Sequence, residues 1–323
     1  MTAPKTIGVA GLGFLGRGIA ACLLSRGFEV IGFTIGEQSF RDARRHIDWA
    51  IEQLIERGGF APAIRKQWPA KYREASSLAD FAQCDFVIES VTEDLQIKQR
   101  VFDELEAALG THVPIASNTS SMPISLLQKD RKHPQRFIGM HWAEPCHVTR
   151  FLEVVRGQQT DDATVEATLA LGKLAGKDPS LVKKDVEGFI VNRIGYAMYR
   201  EAFWLLENGV ADIETIDRSF RNAMSVWANI AGPFRWMDLT GLPAYAAVMK
   251  RLWPQLSCAK EVPAVMSKLL ESGAKGISNG KGFYDYTPQE ARQWEKRLSE
   301  NVWKVREMVD ELFDEPNGKD KNE

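Results

Sequence analysis

The chain has 323 residues, of which 44% are hydrophobic and 26% charged, and it carries a net charge of −2. That length exceeds one ordinary core and suits two domains. So balanced a charge gives no electrostatic footing for nucleic acid or an anionic membrane. The four cysteines, Cys22, Cys84, Cys146 and Cys258, form no CxxC pair, which argues against a zinc site or a disulfide framework and predicts no metal. The first residues lack the basic start and apolar stretch of a signal peptide, and no apolar run approaches membrane-spanning length. A cytoplasmic protein acting on a small molecule is the expectation.

Thr6–Ala10 is a short apolar, β-prone run that ends against glycine. Residues 17–26 follow with Ile19, Leu23 and Leu24 at helical spacing and Gly27 as the stop. Glu29–Phe33 is a second buried strand. Strand, helix and strand within roughly 30 residues form the βαβ unit of a parallel sheet. Between the first strand and its helix lies Gly11-Leu12-Gly13-Phe14-Leu15-Gly16. In that setting the first glycine makes the tight turn and the second lets backbone N–H groups approach a pyrophosphate. The third lets helix and strand pack. The turn predicts a dinucleotide held by Gly11, Gly13, Phe14, Leu15 and Gly16. An acid that binds the ribose hydroxyls normally ends the second strand; here Thr34 stands there, with Glu37 nearby. NAD is expected and NADP stays open, because Arg41, Arg44 or Arg45 either reach a 2′-phosphate or form the solvated face of the next helix.

Residues 39–74 read as an inserted helical pair, with Ile47, Ile51, Leu54 and Ile55 on one face and a break at Gly58, Gly59 and Pro62. Strands resume at Phe86–Glu89, Ile115–Ser117, residues 137–140 and Phe151–Val155. A helix at 163–174, a strand at 180–183 and a turn at 185–188 follow. From Phe189 onward no strand pattern of any length occurs, and residues 189–207, 213–224 and 244–252 read as helices, with Asp212 an N-cap. The predicted fold is α/β: an N-terminal Rossmann-type doubly wound sheet with a helical insertion, followed by an all-α C-terminal domain. The expected division is 1–187 for the dinucleotide domain and 188–313 for a helical substrate and dimerisation domain. A polar, disordered tail is expected at 314–323.

Seven runs of residues in order resemble the 3-hydroxyacyl-CoA dehydrogenase family. After the glycine turn come Val87-Ile88-Glu89 through Glu93 and Lys98, and Ala116-Ser117-Asn118-Thr119-Ser120-Ser121. Gly139-Met140-His141-Trp142, Phe151-Leu152-Glu153-Val154-Val155 and Gly188-Phe189-Ile190-Val191-Asn192-Arg193 follow. Gly232-Pro233-Phe234 and Gly280-Lys281-Gly282-Phe283-Tyr284 complete them. The resemblance implies hydride transfer from the 3-hydroxyl carbon of a 3-hydroxyacyl-CoA or related 3-hydroxy compound to NAD(P), in the setting of fatty acid metabolism. It implies His141 as general base, Glu153 as its orienting partner, and Ser120 and Asn192 as holders of the substrate oxygen. It places Glu93 and Lys98 near the nicotinamide ribose and Asn118 on the nicotinamide side, and it implies a homodimer. The chemistry agrees: a neutral imidazole suits removal of a hydroxyl proton, and a buried carboxylate fixes its tautomer. Glu153 is a lone acid in an apolar run, a costly placement without a partner.

The chain departs from typical acyl-CoA members at Glu144, where they carry asparagine three residues past the histidine. The following loop holds Cys146, His147, Thr149 and Arg150, and His147 is a candidate substrate contact. Trp227, Arg235 and Trp236 suit a compact carboxylated or aromatic substrate. Acyl-CoA members grip the coenzyme at the helical insertion, where this chain has Arg41, Arg44, Arg45, Arg65 and Lys66. The alternatives are a dehydrogenase of a non-CoA alcohol, such as a free hydroxy acid or hydroxylated heteroaromatic acid, and a non-catalytic dinucleotide-binding protein.

Overall fold

The computed structural model describes residues 4–313, and these fall into two compact units divided between Arg193 and Ile194. The predicted tail, 314–323, lies outside the described residues.

In the N-terminal unit β1 (Thr6–Ala10) leads through the glycine turn into α1 (Phe14–Ser25), and β2 (Glu29–Phe33) pairs in parallel with β1. The helix begins at Phe14, ahead of the expected start at residue 17, because Gly13 serves as its N-cap. A first turn containing glycine carries no apolar period to announce it. The insertion is α2 (Glu37–Arg57) followed by α3 (Ile64–Lys71), and the Ala43, Ile47, Ala50, Ile51 and Leu54 face of α2 is buried against α1. Residues 72–74, expected to be helical, instead form β3 (Tyr72–Glu74), an edge strand parallel to β2. Three residues are too few to show a period of two.

β4 (Phe86–Glu89), α4 (Leu95–Ala108), β5 (Ile115–Ser117), α5 (Ile124–Leu127) and β6 (Phe137–Trp142) continue the parallel sheet. β7 (Phe151–Val155) is antiparallel to β6, and after α6 (Asp162–Leu174) comes β8 (Asp178–Val182), parallel to β7. The eight strands lie in the order β3-β2-β1-β4-β5-β6-β7-β8. β6 runs two residues beyond the expected end, so His141 lies within the strand rather than after it. β8 starts earlier than expected and contains Pro179, which an edge strand tolerates.

The C-terminal unit is helical, as expected. α7 (Val191–Glu207) leads to α8 (Ile213–Ala228), α9 (Pro233–Thr240), α10 (Leu242–Leu252), α11 (Ala264–Glu271) and α12 (Pro288–Phe313). α9, α11 and α12 were not anticipated. Among its described residues only Ala231, Ala274 and Trp303 are buried. No helix among the described residues is long and apolar enough to cross a membrane.

The glycine turn shows why its residues are glycine. Gly11 has φ +103°, and a Cβ on Gly16 would stand 1.8 Å from the Gly11 carbonyl oxygen. Gly16→Ala therefore cannot keep both the turn and the helix start. It is expected to weaken NAD binding at least about tenfold, a loss of about 1.4 kcal/mol, in a fluorescence titration. Unchanged affinity would show that the turn does not hold the dinucleotide.

Candidate active site

The sheet order reverses between β1 and β4, and open α/β sheets bind ligands outside the carboxyl ends of their strands at such a point. The Gly11 N–H donates to the Phe33 carbonyl at 2.8 Å and the Ser90 N–H to the Ala10 carbonyl at 2.7 Å, closing the turn over this crevice. A Cβ placed on Gly13 would meet nothing within 4 Å, and no side chain caps α1. Open space before bare N–H groups at the positive end of a helix is what a pyrophosphate requires; the residues present fit a dinucleotide. Phe14 is exposed beside the turn with the Arg17 guanidinium 5.7 Å from its ring centre, and Leu15 is packed against the core. Beyond β2 and Thr34, Arg41 binds Glu37 at 2.6 Å, Arg44 binds Glu74 at 3.1 Å, and Arg45 pairs with Asp42.

β6 and β7 place His141 directly opposite Glu153. Nδ1 of His141 lies 2.8 Å from Oε2 of Glu153, and both residues are buried. The other carboxylate oxygen accepts the N–H groups of Ile190 at 3.1 Å and Val191 at 2.9 Å, so Glu153 also caps α7. Burial acts to raise the Glu153 carboxyl, but the bonds from His141, Val191 and Ile190 outweigh it and hold the group below the ordinary carboxylate range. A carboxylate at Nδ1 keeps a proton there and leaves the Nε2 lone pair to accept one. Phe151 meets the imidazole edge-on at 5.4 Å, and Phe189 lies tilted at 5.8 Å.

The third part is the turn after β5. Ser120 is fixed from both sides: its N–H donates to Glu93 at 3.0 Å, and its carbonyl accepts the Asn192 amide at 2.8 Å. Its hydroxyl makes no hydrogen bond among the described residues and is free for a ligand. Thr119 and Ser121 also donate to Glu93, at 2.5 Å and 3.3 Å. Burial acts to raise the Glu93 carboxyl, and the Thr119 hydroxyl, Lys98 and the Ser120 N–H together bring it below its ordinary value. Asn118 ties the strand ends together, accepting the Trp142 N–H at 2.9 Å and donating to Ser90 at 3.1 Å. Among the described residues no three His, Cys, Asp or Glu side chains are placed to hold a metal ion.

One hydrogen-bonded chain thus joins His141, Glu153, the start of α7, Asn192, Ser120, Glu93 and Lys98. Three residues around the site were not singled out from sequence. Phe189 adopts φ +48° directly after Gly188 at +72°, a strained position that sets its ring beside the histidine. Glu89 is fully buried beside Lys98, and its signal was the one that marked Glu153, a lone acid ending an apolar strand. Lys177 is buried, donates to the carbonyls of Cys146 and Thr149, and lies 5.0 Å from the Trp142 ring centre; no local pattern foretold it.

Sequence comparison now adds to the geometry. The 3-hydroxyacyl-CoA dehydrogenase NAD binding domain matches residues 6–186, and the C-terminal domain of the same enzymes matches 188–286. The chain belongs to the 3-hydroxyacyl-CoA dehydrogenase family. It is an oxidoreductase with an NAD-binding Rossmann fold. It is similar to a 5-formyl-3-hydroxy-2-methylpyridine 4-carboxylate 5-dehydrogenase from Mesorhizobium japonicum, 31% identical over 95% of this chain and 98% of the relative. A 3-hydroxybutyryl-CoA dehydrogenase from Bradyrhizobium diazoefficiens is 33% identical over 87% of this chain and 95% of the relative. Among solved structures, an NAD+-dependent pyridine-carboxylate dehydrogenase of the first kind superposes with a TM-score of 0.89 at 31% identity, covering 95% of this chain and 98% of that one. The (S)-3-hydroxybutyryl-CoA dehydrogenase of Ralstonia eutropha gives 0.74 at 32% identity, covering 88% and 100%.

The loop after the histidine carries Glu144 and His147. One Glu144 oxygen accepts the Cys146 N–H at 3.1 Å, and the other would stand 3.1 Å from a Cβ on Gly18 in α1. Burial raises the Glu144 carboxyl above its ordinary value. His147 is packed edge-on against Trp49 at 5.2 Å and against His46 at 6.3 Å. His46 is half-buried, because it lies on the flank of α2 that meets this loop. Burial lowers His46 to about 4 and His147 to about 3.

Both histidines are neutral in the folded protein at pH 5, whereas an unfolded histidine gains its proton near pH 6.5. The unfolded chain binds more protons over that interval, so folding stability falls as pH drops from about 6.5 towards 4. Urea unfolding is expected to give a lower midpoint at pH 5 than at pH 7, with a smaller difference in His147→Phe. An equal difference in both proteins would mean that His147 is not held neutral.

Proposed function

We propose that the chain oxidises a secondary alcohol with NAD, using His141 as general base, and that its substrate is a compact non-CoA compound, a free hydroxy acid or hydroxylated heteroaromatic acid. Nε2 of His141 takes the hydroxyl proton, and Glu153 stabilises the imidazolium that forms. The Ser120 hydroxyl and the remaining N–H of Asn192 donate to the oxygen as it becomes a carbonyl. The nicotinamide supplies the hydride acceptor when bound; Asn118, Glu93 and Lys98 belong to its side of the crevice, with Thr34 at the adenosine end.

The preference for a non-CoA substrate rests on the helical insertion. Arg41, Arg44, Arg45 and Arg65 are each paired with a carboxylate, Glu37, Glu74, Asp42 and Glu52. Exposed pairs of this kind are individually weak, but they cancel the positive field that would draw a nucleotide phosphate. Of the five basic residues noted in the insertion only Lys66 has no carboxylate partner among the described residues. The same pairing supports NAD over NADP, because Glu37 holds the nearest arginine and adds negative charge beside Thr34. The free cysteines are consistent with a reducing cytoplasm.

A homodimer completes the reading. Among the described residues the C-terminal unit buries three side chains and leaves Tyr196, Val226, Phe234, Leu239 and Trp253 more than 60% exposed. Surfaces that apolar bury themselves in a partner, and a second copy supplies one by symmetry.

An assay crossing NAD and NADP with 3-hydroxybutyryl-CoA, free hydroxy acids and hydroxypyridine carboxylates tests these points. Higher kcat/KM with NAD and with a free acid is expected, from protein that light scattering finds dimeric. His141→Gln should lower kcat by about 10²- to 10⁴-fold. Efficient turnover of the CoA thioester alone would restore the acyl-CoA reading, and no turnover of any alcohol would favour a binding protein.

A further inference from the structure

Behind the 119–121 turn lies a buried charge cluster that proton transfer and hydride transfer do not call for. The Lys98 ammonium lies 2.9 Å and 3.1 Å from the two oxygens of Glu89 and 3.2 Å from Glu93. The side chains of Lys98 and Glu89 are 1% and 0% exposed. Glu89 is further held by the Ser117 hydroxyl at 2.6 Å and the Val91 N–H at 2.7 Å. Glu93, half in the open, points its other oxygen at Thr119, Ser120 and Ser121. A buried ion pair is costly to build and is better evidence of geometric control than of stability.

We propose that Glu93 is a positioning residue for Ser120, and that the buried Lys98–Glu89 pair is its anchor. The carboxylate gathers the N–H groups of 120 and 121 on one oxygen while Lys98 holds the other, and the Asn192 amide fixes the Ser120 carbonyl from the opposite side. Ser120 is left with only its hydroxyl free to move. This rests on the reading of Ser120 as a holder of the substrate oxygen.

Removing Lys98 leaves two carboxylates that shared one cation, and like charges so close cannot both stay ionised without repulsion. Lys98→Met is therefore expected to lower kcat by about tenfold to a hundredfold, the cost of a small misplacement. The loss should deepen as pH rises, as the shared proton leaves and Glu93 is driven from the turn. In Glu89→Gln/Lys98→Met the repulsion is relieved but the anchor is still missing, so kcat should stay below the parent while the deepening of the loss with pH disappears. Because Lys98 lies on the nicotinamide side of the crevice, kcat is read at saturating NAD, with the NAD affinity of each variant taken from a fluorescence titration. Thr119→Val, which leaves the buried pair intact, should lower kcat, and Thr119→Ser should restore it. The anchor is refuted if kcat at saturating NAD is unchanged in Lys98→Met, or if the double variant keeps the loss that deepens with pH. It is refuted as well if Thr119→Ser is as poor as Thr119→Val. Ser120→Ala separates the two readings: full activity there removes the substrate role of Ser120 itself, whatever the Lys98 variants do.

Discussion

A carboxylate buried in the middle of a strand pair must find its hydrogen bonds within the protein, and Glu153 finds three. One oxygen faces the His141 imidazole, and the other takes the first N–H groups of α7. Stripping such a group of its partners costs about 3–5 kcal/mol, so the strand pair, the histidine tautomer and the start of α7 are fixed together. The antiparallel pairing of β6 with β7 is what makes this possible. A parallel neighbour on that side would need a crossover and would not place residue 153 directly opposite residue 141.

The start of α7 carries that constraint across to the Ser120 turn. Asn192 follows the two capped residues by one position, and its amide reaches the Ser120 carbonyl. The base and the Ser120 turn are therefore referenced to one helix end. Phe189 contributes from the same segment: its left-handed backbone lets the chain turn sharply into α7 while the ring closes over the imidazole. A dry setting around His141 strengthens the His141–Glu153 interaction relative to water.

The elements with a strong period were readable from sequence, and so were those with a chemical reason for their residues. β1, β2, β4, β5 and β7 were placed to the residue because short buried strands between turn signals leave little choice. The glycine turn was readable because each glycine answers a separate steric demand. β3 was not, since three residues have no period, and neither was the antiparallel sense of β7, since strand direction is not written in composition. His141 was singled out from sequence, but its place inside β6 was not, because His141 and Trp142 interrupt the apolar pattern that marks the strand. Lys98 illustrates the deeper limit. On a helix facing solvent it would be unremarkable, and only the tertiary fold, which brings Glu89 from the neighbouring strand, turns it into a buried cation.

Glu144 and Lys177 extend that lesson to specificity. The loop between β6 and β7 touches α1 through Glu144 and Cys146, α2 through His147, and the residues before β8 through Lys177. Gly18 permits this approach, since a Cβ there would crowd Glu144 and Cys146 at 3.1–3.2 Å. The loop that follows the base is thus braced against the helix that receives the dinucleotide. A substitution in it acts on both binding events at once. Burial holds the Glu144 carboxyl above its ordinary value, so packing contributes to that brace beside charge. The proposed preference for a non-CoA substrate then draws on a packed loop beside the histidine as well as on an insertion whose arginines are already paired.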